Sequence, residues 1–193
     1  MADRACRPAS SPKIVEMIQV VRQSKIARKV ILQTNGRLLD RMPEDFWTAL
    51  DVLYISIYPT LKPVVVPAVA ERAKRYGFEL RTKNVTRFSK LFGKPGQDPA
   101  AQWARCPWRK HCWTVHDGWF YLCPEGAFLA TDFIGLLEGT DGVRLDGITQ
   151  EQFDAYVRRS HPMESCKICD SFTEDMPWSE ATSKEQWVRE SAR

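Results

Sequence analysis

The chain has 193 residues, of which 44% are hydrophobic and 27% are charged, a composition typical of a folded, soluble protein. The formal net charge is only +4 and the positive residues are interleaved with negative ones, so we expect no nucleic-acid partner. No apolar run approaches the roughly 20 residues of a membrane helix, and no apolar stretch of a secretory signal follows the first residues. We therefore expect no membrane partner and a cytoplasmic location, where clustered cysteines bind metal or take part in redox reactions more often than they form disulfides.

Helices and strands are predicted to alternate over residues 11–83. Ser11-Pro12 is typical of a helix start, because a capping serine precedes a proline at the first helical position, and apolar residues then repeat at helical spacing. The further predicted elements are a strand at 30–32, a helix beginning near Pro43, a strand at 52–58, a helix at 63–76 and a strand at 78–83. This alternation predicts parallel strands joined by crossover helices, and the apolar strand runs predict a sheet covered on both faces.

The pattern changes in the second half of the chain. Residues 112–116 and 119–123 are predicted to form two strands of a β-hairpin, joined by Asp117-Gly118. Thr149 and Gln152 have the spacing of a capping box and predict the start of a helix. The predicted organisation is an α/β segment at 1–92, a linker at 93–102, a second domain at 103–172 and a polar tail at 173–193.

Five of the six cysteines lie in this second half. Cys106 is followed after eleven residues by Gly118, Cys123 comes after four more, and Cys166 and Cys169 form a distant CxxC pair. A cysteine, a hairpin turn, a cysteine at the end of the next strand and a distant CxxC can converge on one metal centre. Four thiolates hold a [4Fe–4S] cluster or a structural zinc ion, so both remain open from the residues alone.

The spacing C-x11-G-x4-C followed by C-x2-C resembles the auxiliary-cluster domain of radical SAM enzymes, known as the SPASM or twitch domain. Thr34-Asn35-Gly36 after a predicted strand is similar to the TNG sequence frequent in the barrel of that family. The resemblance covers roughly residues 8–172. It implies a partial radical SAM-like (β/α) barrel with about three parallel strands, followed by a small α+β domain that holds one auxiliary [4Fe–4S] cluster.

The resemblance also implies which residues bind the cofactors. Cys106, Cys123, Cys166 and Cys169 match the family's cluster ligands, and Cys112 is an alternative to Cys106 because it begins the first strand of the hairpin. Zinc is the alternative metal.

A second set of site residues concerns S-adenosylmethionine (SAM). Asn35 belongs to the TNG sequence, and Ser56 lies near the end of the next strand, where the family often directs a polar group towards the SAM ribose. The sequence contains no CxxxCxxC, the motif that holds the SAM-cleaving cluster, and Ala5-Cys6-Arg7 stands where the family has Gly-Gly-Glu. We therefore expect SAM binding only together with the missing N-terminal half, and we assign no catalytic residue.

These features lead to two main hypotheses. The resemblance implies the C-terminal part of a radical SAM enzyme, or a truncated one, whose parent reaction is a SAM-dependent radical modification of a peptide or small metabolite. The alternative is a non-enzymatic module stabilised by an iron–sulfur cluster or zinc, which docks through an unpaired strand edge on a protein partner that supplies the missing half. A degenerate, inactive relative is a third reading.

Overall fold

The computed structural model describes residues 13–59, 65–89, 98–128, 139–169, 175–178 and 186. The predicted helix start at Ser11-Pro12, the first half of the predicted linker (93–97) and most of the predicted tail lie outside these residues. The chain divides into two compact units, the first formed by Met1–Phe88 with Pro177–Trp187 and the second by Ser89–Met176 with Val188–Arg193. Among the described residues, none of the helices combines the length and apolar character needed to cross a membrane.

The first unit alternates helices with parallel strands, as predicted. Its elements are α1 (Ile14–Gln23), β1 (Ile31–Thr34), a 3-10 turn (Leu39–Arg41), α2 (Glu44–Thr48), β2 (Val52–Ile57), α3 (Val65–Tyr76) and β3 (Glu79–Asn84). The strands form one parallel sheet in the order β1-β2-β3. The mixed α/β class and the three parallel strands are therefore confirmed.

One face of this sheet carries the core of the first unit. Leu32, Leu53 and Leu80 stand side by side across the three strands, because Leu53 pairs with Leu32 on one side and with Leu80 on the other. The helices cover this face with large apolar side chains, since residues spaced three or four apart share one helix face. The buried residues from outside the strands are Ile14, Ile18, Leu39, Phe46, Trp47, Ala49, Leu50, Val69 and Phe78.

The predicted cover on both faces of the sheet is wrong for β1 and β3. Ile31 is 54% exposed, and five of the six residues of β3 are exposed. The opposite face of β3 carries polar side chains, among them Glu79 and Arg81. Glu79 accepts hydrogen bonds there from Lys29 at 3.2 Å and from Arg81 at 2.7 Å. Of the three described strands of this sheet, only the central strand β2 has the nearly continuous burial expected of a covered parallel strand.

The second unit is built from short elements. They are α4 (Pro99–Arg105), a 3-10 turn (Trp108–Lys110), β5 (Thr114–His116), β6 (Trp119–Tyr121), α5 (described over 124–128), β7 (Val143–Arg144), α6 (Gln150–Val157) and a 3-10 helix (Glu164–Lys167). The strands β4 (Arg87–Ser89) and β8 (Asp175–Pro177) each contain a point where the chain passes between the units. The strand β8 lies in the region predicted to be a polar tail.

The antiparallel hairpin is confirmed. Strand β5 pairs with β6, with Val115 opposite Phe120, and Asp117 and Gly118 both have positive φ, at 46° and 82°. Two successive residues in the left-handed region form the two-residue turn whose twist matches that of the strands it joins. Strand β7 extends this sheet on the other side of β6 and was not predicted, since two residues carry no periodic signal.

Two glycines bring the segment before β7 close to β6. A Cβ at Gly142 would lie 2.7 Å from Cε1 of Tyr121, and a Cβ at Gly139 would lie 2.5 Å from the ring of Trp119. The backbone N–H of Gly142 donates to the carbonyl of Gly139 at 2.9 Å, which closes a turn around Asp141. Only residues without a side chain allow this approach, and it fixes the position of Asp141.

The capping box of α6 is confirmed. The Thr149 hydroxyl accepts from the backbone N–H of Gln152 at 3.2 Å, and the Gln152 side chain accepts from the backbone N–H of Thr149 at 2.9 Å. The helix then packs Phe153 against Phe120 of β6, with ring centroids 4.8 Å apart. The cap therefore fixes where the helix begins, and the aromatic contact joins it to the hairpin sheet.

Candidate metal centre

Four of the five predicted ligands line one pocket in the second unit. Cys106 directly follows α4, Cys123 lies between β6 and α5, Cys166 is part of the last 3-10 helix and Cys169 lies just beyond it. The pocket is partly open to solvent. Cys112, the fifth cysteine, is not among the described residues that line it. The fold thus joins three segments that are distant in sequence around one space lined by thiols.

The rest of the pocket wall combines apolar cover with a few polar groups. Trp103 and Met163 are buried, as are the polar residues Gln102, Glu125 and Ser165. The non-cysteine residues that line the pocket are Gln102, Trp103, Trp108, Arg109, Glu125, Met163 and Ser165. An apolar wall limits the access of water to a bound group, which strengthens electrostatic interactions inside the pocket.

Helix α4 brings Cys106 to the pocket. The side chain of Asp98 caps the helix by accepting from the backbone N–H groups of Ala100 at 2.9 Å and Ala101 at 3.3 Å, and a proline occupies the first helical position. The helix ends where Cys106 precedes Pro107, because a residue before proline disfavours the helical conformation. Cys106 therefore stands at the C-terminal end of a helix that has a defined start and a defined end.

Cys123 has a hydrogen-bond donor in the chain that follows it. The backbone N–H of Gly126 donates to the Cys123 sulfur at 3.4 Å. A Cβ at Gly126 would lie 3.7 Å from the same sulfur and 3.5 Å from the sulfur of Met163, so the backbone of α5 packs directly against the pocket wall. An N–H donor on sulfur favours the thiolate form that binds metal.

Asp141 anchors the CxxC segment and was missed by the sequence analysis. It is 2% exposed, and its two carboxylate oxygens accept from the backbone N–H groups of Glu164 at 2.7 Å and Ser165 at 2.8 Å. Its own backbone carbonyl accepts from the Tyr156 hydroxyl at 2.6 Å. The only sequence signal was an aspartate next to glycine in a loop, which is the ordinary composition of a turn.

The cysteines influence one another electrostatically. Burial raises the pKa of the Cys123 thiol far above its usual range, and repulsion from the Glu125 carboxylate, and from Cys166 and Cys169 where these are ionised, raises it further. Burial likewise raises the pKa of Cys166 to about 11, although a backbone hydrogen bond opposes this rise. Without metal these two cysteines are therefore neutral thiols near neutral pH, and metal binding must release their protons.

Cys112 is not part of the described pocket wall, but it is close enough to Glu125 and Cys106 of that wall for their charges to affect its pKa. Burial raises the pKa of its thiol, and the negative charges of Glu125 and Cys106 add to that rise. In the part of the chain that is described, no three His, Cys, Asp or Glu side chains are arranged to hold a single metal ion as they stand. The pocket therefore brings the thiols around a common space rather than onto one point.

The raised pKa of Cys166 predicts a pH dependence of the metal-free chain. The pKa of a cysteine in the unfolded chain is about 8.5. Burial raises the pKa of Cys166 in the folded chain to about 11. Because the folded state holds this proton more tightly, the contribution to stability is complete below pH 8.5 and is lost as the pH rises towards 11. Urea unfolding with reductant and chelator should show stability falling over this range, and less steeply in Cys166→Ala. Identical pH profiles for both chains would contradict the prediction.

The two residues predicted to contact SAM lie in the first unit, at the carboxyl ends of neighbouring parallel strands. Asn35 is exposed, and its side-chain oxygen accepts from the backbone N–H of Arg37 at 3.2 Å. Ser56 is buried, and its hydroxyl accepts from the side-chain amide of Gln33 at 3.1 Å. Ligands of parallel α/β sheets bind at this edge, but the local partners also account for both residues. SAM contact by Asn35 and Ser56 remains a prediction.

No family model matches the chain, and no curated protein matches it either. The function is therefore inferred from the residues of the site.

Proposed function

We propose that the chain holds an auxiliary [4Fe–4S] cluster as part of a radical SAM-like system. The supporting observation is the shared pocket, whose wall contains Cys106, Cys123, Cys166 and Cys169. Four cysteine thiolates are the ligand set of such a cluster. Cys112 is not in the described wall of the pocket, so the proposed ligand set has four members.

The remaining residues of the pocket also suit a bound cluster. Trp103, Trp108 and Met163 supply apolar cover. The reduction potential of an iron–sulfur cluster depends on its burial and on hydrogen bonds to its sulfur atoms. The Nε of Arg109 is buried and has no hydrogen-bond acceptor among the described residues. A thiolate-ligated cluster would provide acceptor sulfur atoms in the pocket that this side chain lines.

The wider proposal concerns the reaction. The 193 residues contain no CxxxCxxC, so the SAM-cleaving cluster comes from protein outside these residues, either a longer chain or a partner. The parallel sheet of the first unit is compatible with the later strands of the family's barrel. When bound, the auxiliary cluster supplies electron transfer or an anchor for the substrate. The parent reaction in this proposal is a SAM-dependent radical modification of a peptide or small metabolite.

A second candidate is a non-enzymatic module stabilised by iron–sulfur or zinc. The observation that favours it is the apolar surface of the first unit, where Met17 and Val20 of α1 are 56% and 57% exposed. In the described part of the chain, β1 pairs only with β2, so its other edge offers backbone groups to a further strand. The occupant in this proposal is a partner protein that supplies the other half of the barrel.

Metal analysis of the full chain tests the metal centre that both candidates share. After anaerobic iron–sulfur reconstitution, we expect about four irons and four sulfides per chain and a broad absorption band near roughly 400 nm. Stoichiometric zinc with no colour, obtained from the same preparation, would favour the non-enzymatic module. A chain that takes up neither metal would refute the metal centre itself.

A further inference from the structure

Arg109 occupies a fixed position in the wall of the cysteine pocket. It belongs to the 3-10 turn that closely follows Cys106, and its guanidinium carbon lies 4.7 Å from the ring centroid of Trp103. Its backbone carbonyl accepts from the indole N–H of Trp113 at 3.1 Å. The cation–π contact and the hydrogen bond thus hold both the side chain and the backbone of Arg109 in place.

The Nε–H of Arg109 lacks an acceptor among the described residues, although the atom is buried. A buried donor without an acceptor is destabilising, and such groups in folded proteins usually have a partner that is an ion, a water molecule or a ligand. The pocket that Arg109 lines also contains the sulfur atoms of four cysteines. Thiolate or cluster sulfur in that pocket would supply the acceptor that this donor lacks.

The charge of the pocket leads to the same conclusion. Metal binding converts four thiols to thiolates, and the buried Glu125 adds a further carboxyl group to the wall. Among the described residues that line the pocket, Arg109 is the only cation. Its planar guanidinium is a cation, so it can offset the negative charge of a thiolate-ligated group.

We infer that Arg109 donates its Nε–H to the sulfur atoms of the bound cluster and raises the cluster's reduction potential. This inference rests on the proposed [4Fe–4S] site. Reduction adds one negative charge to the cluster, and a cation with an N–H donor stabilises the reduced form more than the oxidised form. Arg109 is therefore a tuning residue of the centre and does not itself ligate iron.

Redox titration of the reconstituted full chain tests the inference. Arg109→Gln removes the charge but keeps an amide N–H donor at the position of Nε, whereas Arg109→Lys keeps the charge and loses the Nε–H donor. We expect the midpoint potential to fall in both variants, and to fall further in Arg109→Gln, with the iron content unchanged. Arg144→Gln is the matched control, because the Arg144 guanidinium also lies over a tryptophan, at 5.7 Å from Trp119, but does not line the pocket.

A second measurement does not depend on the folding of a variant. The wild-type chain is labelled with ¹⁵N-arginine, and the reduced cluster is examined by pulsed electron paramagnetic resonance. A hyperfine coupling to arginine ¹⁵N is expected, and its absence would overturn the inference even if the variants lose their cluster. A full iron content with the same potential in all chains would also overturn it. A wild-type chain that binds no iron would instead refute the proposed function on which the inference rests.

Discussion

Replacing either cysteine of the CxxC segment should remove most of the iron from the reconstituted chain. Cys166 is buried and Cys169 is half-buried in the wall of the same pocket, and a serine hydroxyl is a much weaker ligand for iron than a thiolate. Because the site forms only in the folded chain, the free energy of metal binding is also folding free energy. Cys166→Ser and Cys169→Ser should therefore lower the unfolding free energy of the loaded chain by several kcal/mol. Iron and sulfide analysis, followed by anaerobic urea unfolding, measures both effects.

Cys112→Ser is the matched control for these variants. Cys112 lies close enough to the pocket for Glu125 and Cys106 to affect its pKa, but it is not part of the described wall. Its replacement should therefore leave the iron content near that of the wild type. Wild-type metal content in both Cys166→Ser and Cys169→Ser would rule out the site. Iron loss in Cys112→Ser, with full iron in Cys106→Ser, would instead identify Cys112 as the fourth ligand.

Replacing Asp141 should destabilise the second unit even without metal. Its buried carboxylate accepts from two backbone N–H groups at the start of the 3-10 helix that contains Cys166. Hydrogen bonds to a charged group contribute about 1.5–3 kcal/mol each, so Asp141→Ala should lower the unfolding free energy by about 3 kcal/mol or more. Asp141→Asn keeps one acceptor and should lower it by roughly half as much. Urea unfolding of the metal-free chain measures these differences.

Asp154→Asn provides the comparison for Asp141. The Asp154 side chain accepts from Gln150 at 2.7 Å and forms an exposed ion pair with Arg158 at 3.4 Å. An exposed pair of this kind contributes about 0.5 kcal/mol, so its removal should have little effect. We also expect Asp141→Asn to take up iron more weakly than Asp154→Asn, because the CxxC segment loses its anchor. Equal stability and equal iron uptake in the two variants would show that Asp141 does not position the cysteines.

Much of the local structure follows from the sequence because its causes are local. The helices and parallel strands of the first unit follow from apolar spacing within each segment, and the hairpin follows from Asp117-Gly118, which tolerate the left-handed turn. The capping box at Thr149 needs only a partner three residues away. Each of these signals is complete within a few residues, so it does not depend on the rest of the fold.

The tertiary structure decided the features that depend on contacts between distant segments. The sequence identified five cysteines, but only the packing of α4 against the last 3-10 helix places Cys106 in the pocket wall and leaves Cys112 out of it. Asp141 reads as a turn residue until its carboxylate meets the backbone of Glu164 and Ser165. The exposed face of β1 and β3 likewise depends on what packs against the sheet. Burial and hydrogen bonding of a side chain depend on its neighbours in space, and a short window of sequence does not contain those neighbours.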